Sequence, residues 1–188
     1  GESPANTWRT PTGDEWIYIF TRRPTAGALY GVAQVAGVNG LILLPDNWTG
    51  VSGITFKSGY PTNNGNFADY QSFTLDQWNI MEANGAVFLP QAGMRSGTQV
   101  TDYTHYWAAT KKSDTNAALL HFTGSRIVPD GENNIAFGFV VRLVQSQKKY
   151  TITTVAENGV VQLLYLLLPL FLQLQEEHLL LLIFQRLV

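Results

Sequence analysis

No cysteine occurs among the 188 residues, which removes disulfide frameworks, thiolate metal sites and thiol nucleophiles while leaving the redox compartment open. Charge is also scarce. Asp, Glu, Lys and Arg make up 14% of the chain, against about 25% in an average soluble protein, so bulk electrostatics is not its main recognition principle. Twelve basic residues face fourteen acidic ones, for a net charge of −2, whereas a nucleic-acid footprint needs a net positive face. A long uninterrupted apolar run is missing as well. Residues 163–188 hold thirteen leucines in twenty-six positions. Pro169 breaks 163–172, and a cluster of Gln173, Gln175, Glu176, Glu177 and His178 separates it from 179–184, so neither stretch reaches the ~18 residues of a membrane span. Neither Gly-x-Gly-x-x-Gly nor Gly-x-Ser-x-Gly occurs, so a dinucleotide-type phosphate cradle and a hydrolase elbow have no sequence support.

What is present is 45% hydrophobic residues in 20.8 kDa, enough for one domain with a sizeable core and too little for two full ones. All five tryptophans, Trp8, Trp16, Trp48, Trp78 and Trp107, precede residue 108, and glycine and asparagine punctuate the chain to about Val144. The expected organisation is a domain over 1–145, a linker and strand over 146–162, and the leucine-rich tail over 163–188. In the middle segment, Tyr150-Thr151-Ile152-Thr153 followed by Asn158-Gly159 resembles the opening strand and turn of a bacterial cell-surface repeat. The expected continuation is absent; a reading-frame shift near residue 162 is one explanation for the tail, which is assigned no function.

Within 1–145, Thr12-Gly13-Asp14-Glu15 has the form of a capping box and predicts a short helix to about Thr21 with Trp16, Ile19 and Phe20 inward. Strands are expected at 29–35 and 41–44, joined by a hairpin turn at Gly37-Val38-Asn39-Gly40. The Gly- and Asn-rich stretch 58–69 reads as a loop. A second box, Thr74-Leu75-Asp76-Gln77, opens a helix with Leu75, Trp78 and Met81 at three-residue spacing and a stop at Asn84-Gly85. A buried strand at 86–89 and three more at 106–110, 117–122 and 135–144 follow. The expected class is α+β: two short helices, a mostly antiparallel twisted sheet and long loops.

Trp8-Arg9-Thr10-Pro11-Thr12-Gly13-Asp14-Glu15-Trp16 resembles the Trp-Arg-Leu-Pro-Thr-x-x-Glu-Trp element of the formylglycine-generating sulfatase-modifying family and its lectin-like relatives. Gly85-Ala86-Val87-Phe88-Leu89-Pro90, Ala92-Gly93-Met94-Arg95, His105-Tyr106-Trp107-Ala108-Ala109-Thr110 and Gly138-Phe139-Val140-Val141-Arg142-Leu143-Val144 follow in the order and spacing of the Fibrobacter succinogenes major paralogous domain. That resemblance covers about residues 6–144 and implies a C-type lectin-like fold in a surface or secreted protein of a gut bacterium. The family's domain usually begins with a strand-bearing segment ahead of the Trp-Arg element, so the chain is read as incomplete at its N-terminus, with a parent that is exported although no signal peptide precedes the domain.

Each candidate chemistry is weighed against packing. The resemblance to the formylglycine-generating enzymes implies a pair of active-site cysteines, which this chain lacks. Calcium-dependent sugar binding of the lectin kind calls for Glu-Pro-Asn or Gln-Pro-Asp plus Trp-Asn-Asp as oxygen ligands, and these tripeptides do not occur. Pro45-Asp46-Asn47-Trp48 reads as a turn with a buried indole. His105, His121 and His178 show no metal-ligand spacing, and no metal or cofactor is expected. His105 reads as a packing histidine, and a triad of Ser96, His105 and Asp102 has no motif behind it. Trp8, Trp16, Trp78 and Trp107 are assigned to the core.

The recognition candidates are then the loop aromatics Tyr60, Phe67 and Tyr103 and the polar connectors Lys111, Lys112, Asp114, Asn116, Ser125, Arg126, Asp130, Glu132, Asn133 and Asn134. The expected function is a non-enzymatic module binding a protein or glycan through loops at 58–70, 95–105, 111–116 and 123–134. The family resemblance extends to targets of diversity-generating retroelements, which vary positions in this C-terminal region. The contrasting readings are a divergent enzyme on the formylglycine-generating scaffold and a structural surface component. Nucleic acid is not an expected partner, the expected location is extracellular or cell-surface, and membrane contact would come only through a missing anchor or the leucine-rich tail.

Overall fold

The computed structural model describes residues 7–61 and 65–146. The expectations for the N-terminal start, the 148–162 segment and the tail lie outside these residues.

Both capping boxes form. Thr12 Oγ1 accepts from the Glu15 amide and the Glu15 carboxylate accepts from the Thr12 amide, which satisfies two otherwise free donors at the start of α1 (Gly13–Ile17). A wider π-helical turn continues it over Tyr18–Arg22, and together they bury Trp16, Ile19 and Phe20. Thr74 and Gln77 build the second box, at the start of α3 (Leu75–Ala83). Between them, Asn66 caps a single turn, α2 (Phe67–Tyr70). On α3, Trp78 and Met81 are buried as expected, but Leu75 is 58% exposed: it occupies the first helical position, ahead of the stripe that meets the sheet.

A two-residue strand β1 (Trp8–Arg9) opens the described chain, and β2 (Tyr30–Val35) and β3 (Val38–Leu43) form a hairpin. Its turn is Ala36-Gly37, both at positive φ, one pair earlier than the expected Gly37-Val38-Asn39-Gly40; Val38, Asn39 and Gly40 are paired strand residues. With β4 (Ser72–Phe73), parallel to β2, and β5 (Val87–Pro90), antiparallel to β3, the hairpin completes a four-stranded sheet in the order β4-β2-β3-β5. Side chains alternate across a strand, and this sheet buries both faces. Ala33, Val35, Ile42 and Leu44 pack with Trp78 and Met81 of α3. Val32, Leu41, Leu43, Val87 and Leu89 pack with Trp16, Ile19 and Phe20 and with a second sheet.

That second sheet follows a small ladder of β6 (Met94–Ser96) and β7 (Gln99–Thr101). It contains β8 (Thr104–Lys111), β9 (Asn116–Thr123) and β10 (Arg126–Asn134), all antiparallel, with β9 in the middle. Its inner face contributes Tyr106, Ala108, Ala118, Leu120 and Phe122 to the shared core. The third strand thus lies at Arg126–Asn134 and not at 135–144. Pro129, Asp130 and Gly131 hide it in the sequence, and a register shift between Val128 and Gly131 absorbs them. The apolar 135–143 stretch instead runs along the free edge of β8, where the Trp107 amide donates to the Val140 carbonyl and the Val140 amide to the His105 carbonyl, and paired bonds join Gly138 to Arg95; Val140 packs on the main core and Phe139 lies on the outer side. The described chain closes with β11 (Val144–Gln145), which pairs with β1.

The protein is therefore α+β, mostly antiparallel, with few short helices. Of the tryptophans assigned to the core, Trp16 and Trp78 are there, while Trp8 is 51% exposed and Trp107 half-buried. Trp8 stands in a two-stranded ladder with no layer over its outer face, and Trp107 lies on the outer side of β8.

Candidate recognition surface

The second sheet sorts the candidate residues into two groups. Lys111 ends β8, and Lys112 and Asp114 lie exposed in the connection to β9. Lys111 Nζ meets Asp114 Oδ1 at 2.6 Å, with both side chains largely in water, so this ion pair contributes little to stability. Ser113 Oγ accepts the Thr115 and Asn116 amides, which gives the connection a fixed shape. Asn116 opens β9 opposite Asn134, and its Nδ2 donates to Glu132 Oε1 at 3.4 Å. The Asn133 and Asn134 side-chain oxygens accept the amides of Asn134 and Ala136. Lys111, Lys112, Asp114, Asn116, Glu132, Asn133 and Asn134 therefore gather at one end of the sheet.

Tyr103, Ser125 and Arg126 lie at the other end. Tyr103 is 54% exposed just before β8, and Arg126 is exposed opposite Thr123. The Ser125 amide donates to Thr123 Oγ1, shaping the β9–β10 turn. The eight-residue β9 between the two ends spans roughly 23 Å, so no small ligand touches both. Asp130 belongs to neither end: it is exposed at the bulge within β10.

The 58–70 loop reaches the second end. Tyr70 closes it by donating from its hydroxyl to the Ser58 carbonyl, and Lys57 Nζ donates to the Tyr70 carbonyl at 3.0 Å. Tyr60 is 38% exposed, as expected of a recognition aromatic. Phe67 is not. It is 5% exposed and part of the main core, because the Asn66-capped turn aims it inward beside Gly124 of the β9–β10 turn. Nor are 126–134 loop tips: they belong to β10, paired with β9 on either side of a bulge at Pro129 and Asp130, and the connector between the two strands is the 124–125 turn. The paper triad fails too, since His105 Nδ1 is buried with no hydrogen-bond partner and holds no Asp102 carboxylate.

A feature that sequence spacing did not show lies on the outer face. His105 and His121 are direct cross-strand neighbours with ring centroids 4.5 Å apart. Phe139 stacks on His105 at 4.4 Å and also meets Trp107 at 4.5 Å. His121 Nδ1 lies 3.1 Å from the Thr104 carbonyl and donates to it. Burial, reinforced by His121, pushes His105 down to about 4. Burial lowers His121 as well, with the Thr104 carbonyl opposing and Arg126 assisting. Both rings are neutral at physiological pH. The residues lie sixteen apart in sequence, and only the strand register brings them together.

Elsewhere, buried Arg23 is a structural cation. Its Nε donates to the Ile19 carbonyl, Nη1 to Leu44 and Asp46, and Nη2 to Leu29. It ties the first helix to the hairpin, and the Pro45-Asp46-Asn47-Trp48 turn serves that clamp. Among the described residues no group of three or more His, Asp or Glu side chains is placed to hold a metal ion, and no helix is long and apolar enough to cross a membrane.

No protein-family model, no curated protein sequence and no solved structure matches the chain.

Proposed function

We propose that this chain is a non-enzymatic recognition module of an exported bacterial surface protein, built on a C-type lectin-like scaffold and binding a protein or glycan partner. The resemblance in its four ordered motifs to the Fibrobacter succinogenes major paralogous domain supports this scaffold and location. The observation that carries the recognition role is the group of Tyr103, Ser125 and Arg126 at one end of a sheet whose inner face is fully packed, next to the loop bearing Tyr60. Tyrosine and arginine on a rigid support are the residue types that anchor interfaces, and the turn beneath them is fixed by its seat on Gly65 and Phe67. The Lys111, Asn116 and Glu132 end is more polar and has no aromatic anchor among the residues assigned to it.

The test is a binding screen of the full chain against glycans and surface proteins of gut bacteria and their hosts, repeated with two sets of variants. Tyr103→Ala with Arg126→Ala abolishes binding in this reading, while Lys111→Ala with Asn116→Ala leaves it within a few-fold. Binding that depends little on salt and not at all on a calcium chelator completes the expected result. A ligand held equally well by both variant sets, or turnover of any substrate by the chain, would overturn it.

A further inference from the structure

His105 and His121 stand side by side on the outer face of the second sheet. His121 donates from Nδ1 to the Thr104 carbonyl, the contact to backbone that fixes tautomer and ring orientation in metal-bound histidines, and this leaves its Nε2 lone pair as the donor atom. His105 lies stacked beside it at 4.5 Å between centroids, with an interplanar angle of 29°, so the two side chains are near enough to share one ion once rotation turns their in-plane lone pairs toward each other. No hydrogen bond at His105 Nδ1 opposes such a rotation, which has only the stacking against His121 and Phe139 to overcome. Both rings are half-buried and neutral, the protonation state that ligation requires. Strands β8 and β9 fix the backbones of the two residues in register, so little is left to organise on binding.

We propose that His105 and His121 form a two-imidazole chelate for a late first-row divalent cation: copper, nickel or zinc. A donor set made only of imidazole nitrogens excludes calcium and magnesium, which take oxygen ligands. It favours ions whose affinity for imidazole is intrinsic, with copper strongest. Phe139 covers one face of His105. The remaining coordination positions go to water or to a donor from a bound partner, because among the described residues no third His, Asp or Glu joins the pair. The proposal does not depend on the recognition reading.

The experiment titrates copper(II) into the full-length, untagged, metal-free chain and follows nitrogen coupling by electron paramagnetic resonance. One equivalent gives a two-nitrogen spectrum in the wild type and in His178→Gln, and His105→Gln and His121→Gln each lose it. Copper also broadens the ring-proton resonances of His105 and His121 in the wild type, a readout that does not require the variants to fold. Survival of the spectrum in either His105→Gln or His121→Gln, or sharp His105 and His121 resonances beside bound copper, overturns the proposal.

Discussion

Gly124, in the turn between β9 and β10, lies directly on the backbone of Gly65 with the Phe67 ring beside it, and a Cβ at this position would run into the Gly65 carbonyl. The contact seats the 58–70 loop on the second sheet. Overpacking of this kind costs about 1–3 kcal/mol, so Gly124→Ala is expected to lower stability by that amount in urea unfolding. Gly27→Ala, where the added methyl meets open space, is the control and should stay within about 0.5 kcal/mol. Equal effects would mean that the loop is not seated there.

The Arg9–Glu15 fork, with Nη2 to Oε1 at 2.5 Å and Nη1 to Oε2 at 2.7 Å, sets an acid limb to stability. Burial works against the Glu15 charge, but the bonds from Arg9 and from the Thr12 amide outweigh it and hold the carboxyl below its usual range. The folded state therefore binds the proton less readily than the unfolded chain. The stabilisation is present above the ordinary carboxylate range and is lost as pH falls through the depressed folded value. Glu15→Gln keeps the capping-box geometry and removes the charge, so its thermal midpoint should fall less steeply with acidification than that of the wild type. With both side chains partly solvated the loss near neutral pH is below about 1 kcal/mol.

Two indoles separate core from cover. Trp16 is 2% exposed in the centre of the main cluster, and Trp16→Ala should cost about 3–5 kcal/mol. Trp107 is half-buried under Phe139 on the outer face, and Trp107→Ala should cost clearly less, about 1–3 kcal/mol. Denaturant midpoints at constant m-value decide the order.

Arg23→Ala removes the side-chain donors to the Ile19 and Leu44 carbonyls, leaves the Leu29 carbonyl with the Leu44 amide alone, and deprives Asp46 of its ion-pair partner. A loss of about 3 kcal/mol or more follows from unpaired buried polar groups. Arg23→Lys should recover little, since one ammonium does not reproduce three nitrogens aimed from a plane. Circular-dichroism melts of the two variants give the comparison.

Local chemistry was legible in the sequence and long-range register was not. Both capping boxes, the inward Trp16, Ile19 and Phe20, and the Asn84-Gly85 stop follow from residues within one or two turns of each other. The strand at Arg126–Asn134 is hidden in the sequence because Pro129, Asp130 and Gly131 erase its alternation, and pairing to β9 supplies what propensity lacks. The 135–143 stretch has the apolar content of a strand but meets β8 and Arg95 only through single bridges, with Phe139 laid over His105 and Trp107. Phe67 reads as a loop aromatic until Asn66 is seen to cap a turn that points it inward. Arg23 resembles any solvated cation after a helix, and its carbonyl partners are set by the tertiary arrangement. The polar candidates on the second sheet fall at two ends and not in one patch, because β9 separates them, a division that only the strand register shows.

The ladder of Trp8 and Arg9 with Gln145 and Val144 is extended by the Ser146 amide donating to the Thr7 carbonyl at 2.7 Å, so the chain enters and leaves the domain side by side. Tension applied through the two flanking segments would open this ladder like a zipper, one bond at a time, and not load its bonds together in shear. Mechanical resistance therefore begins only at the inner strands, and in a string of such units each would hang as a bead beside the line of pull.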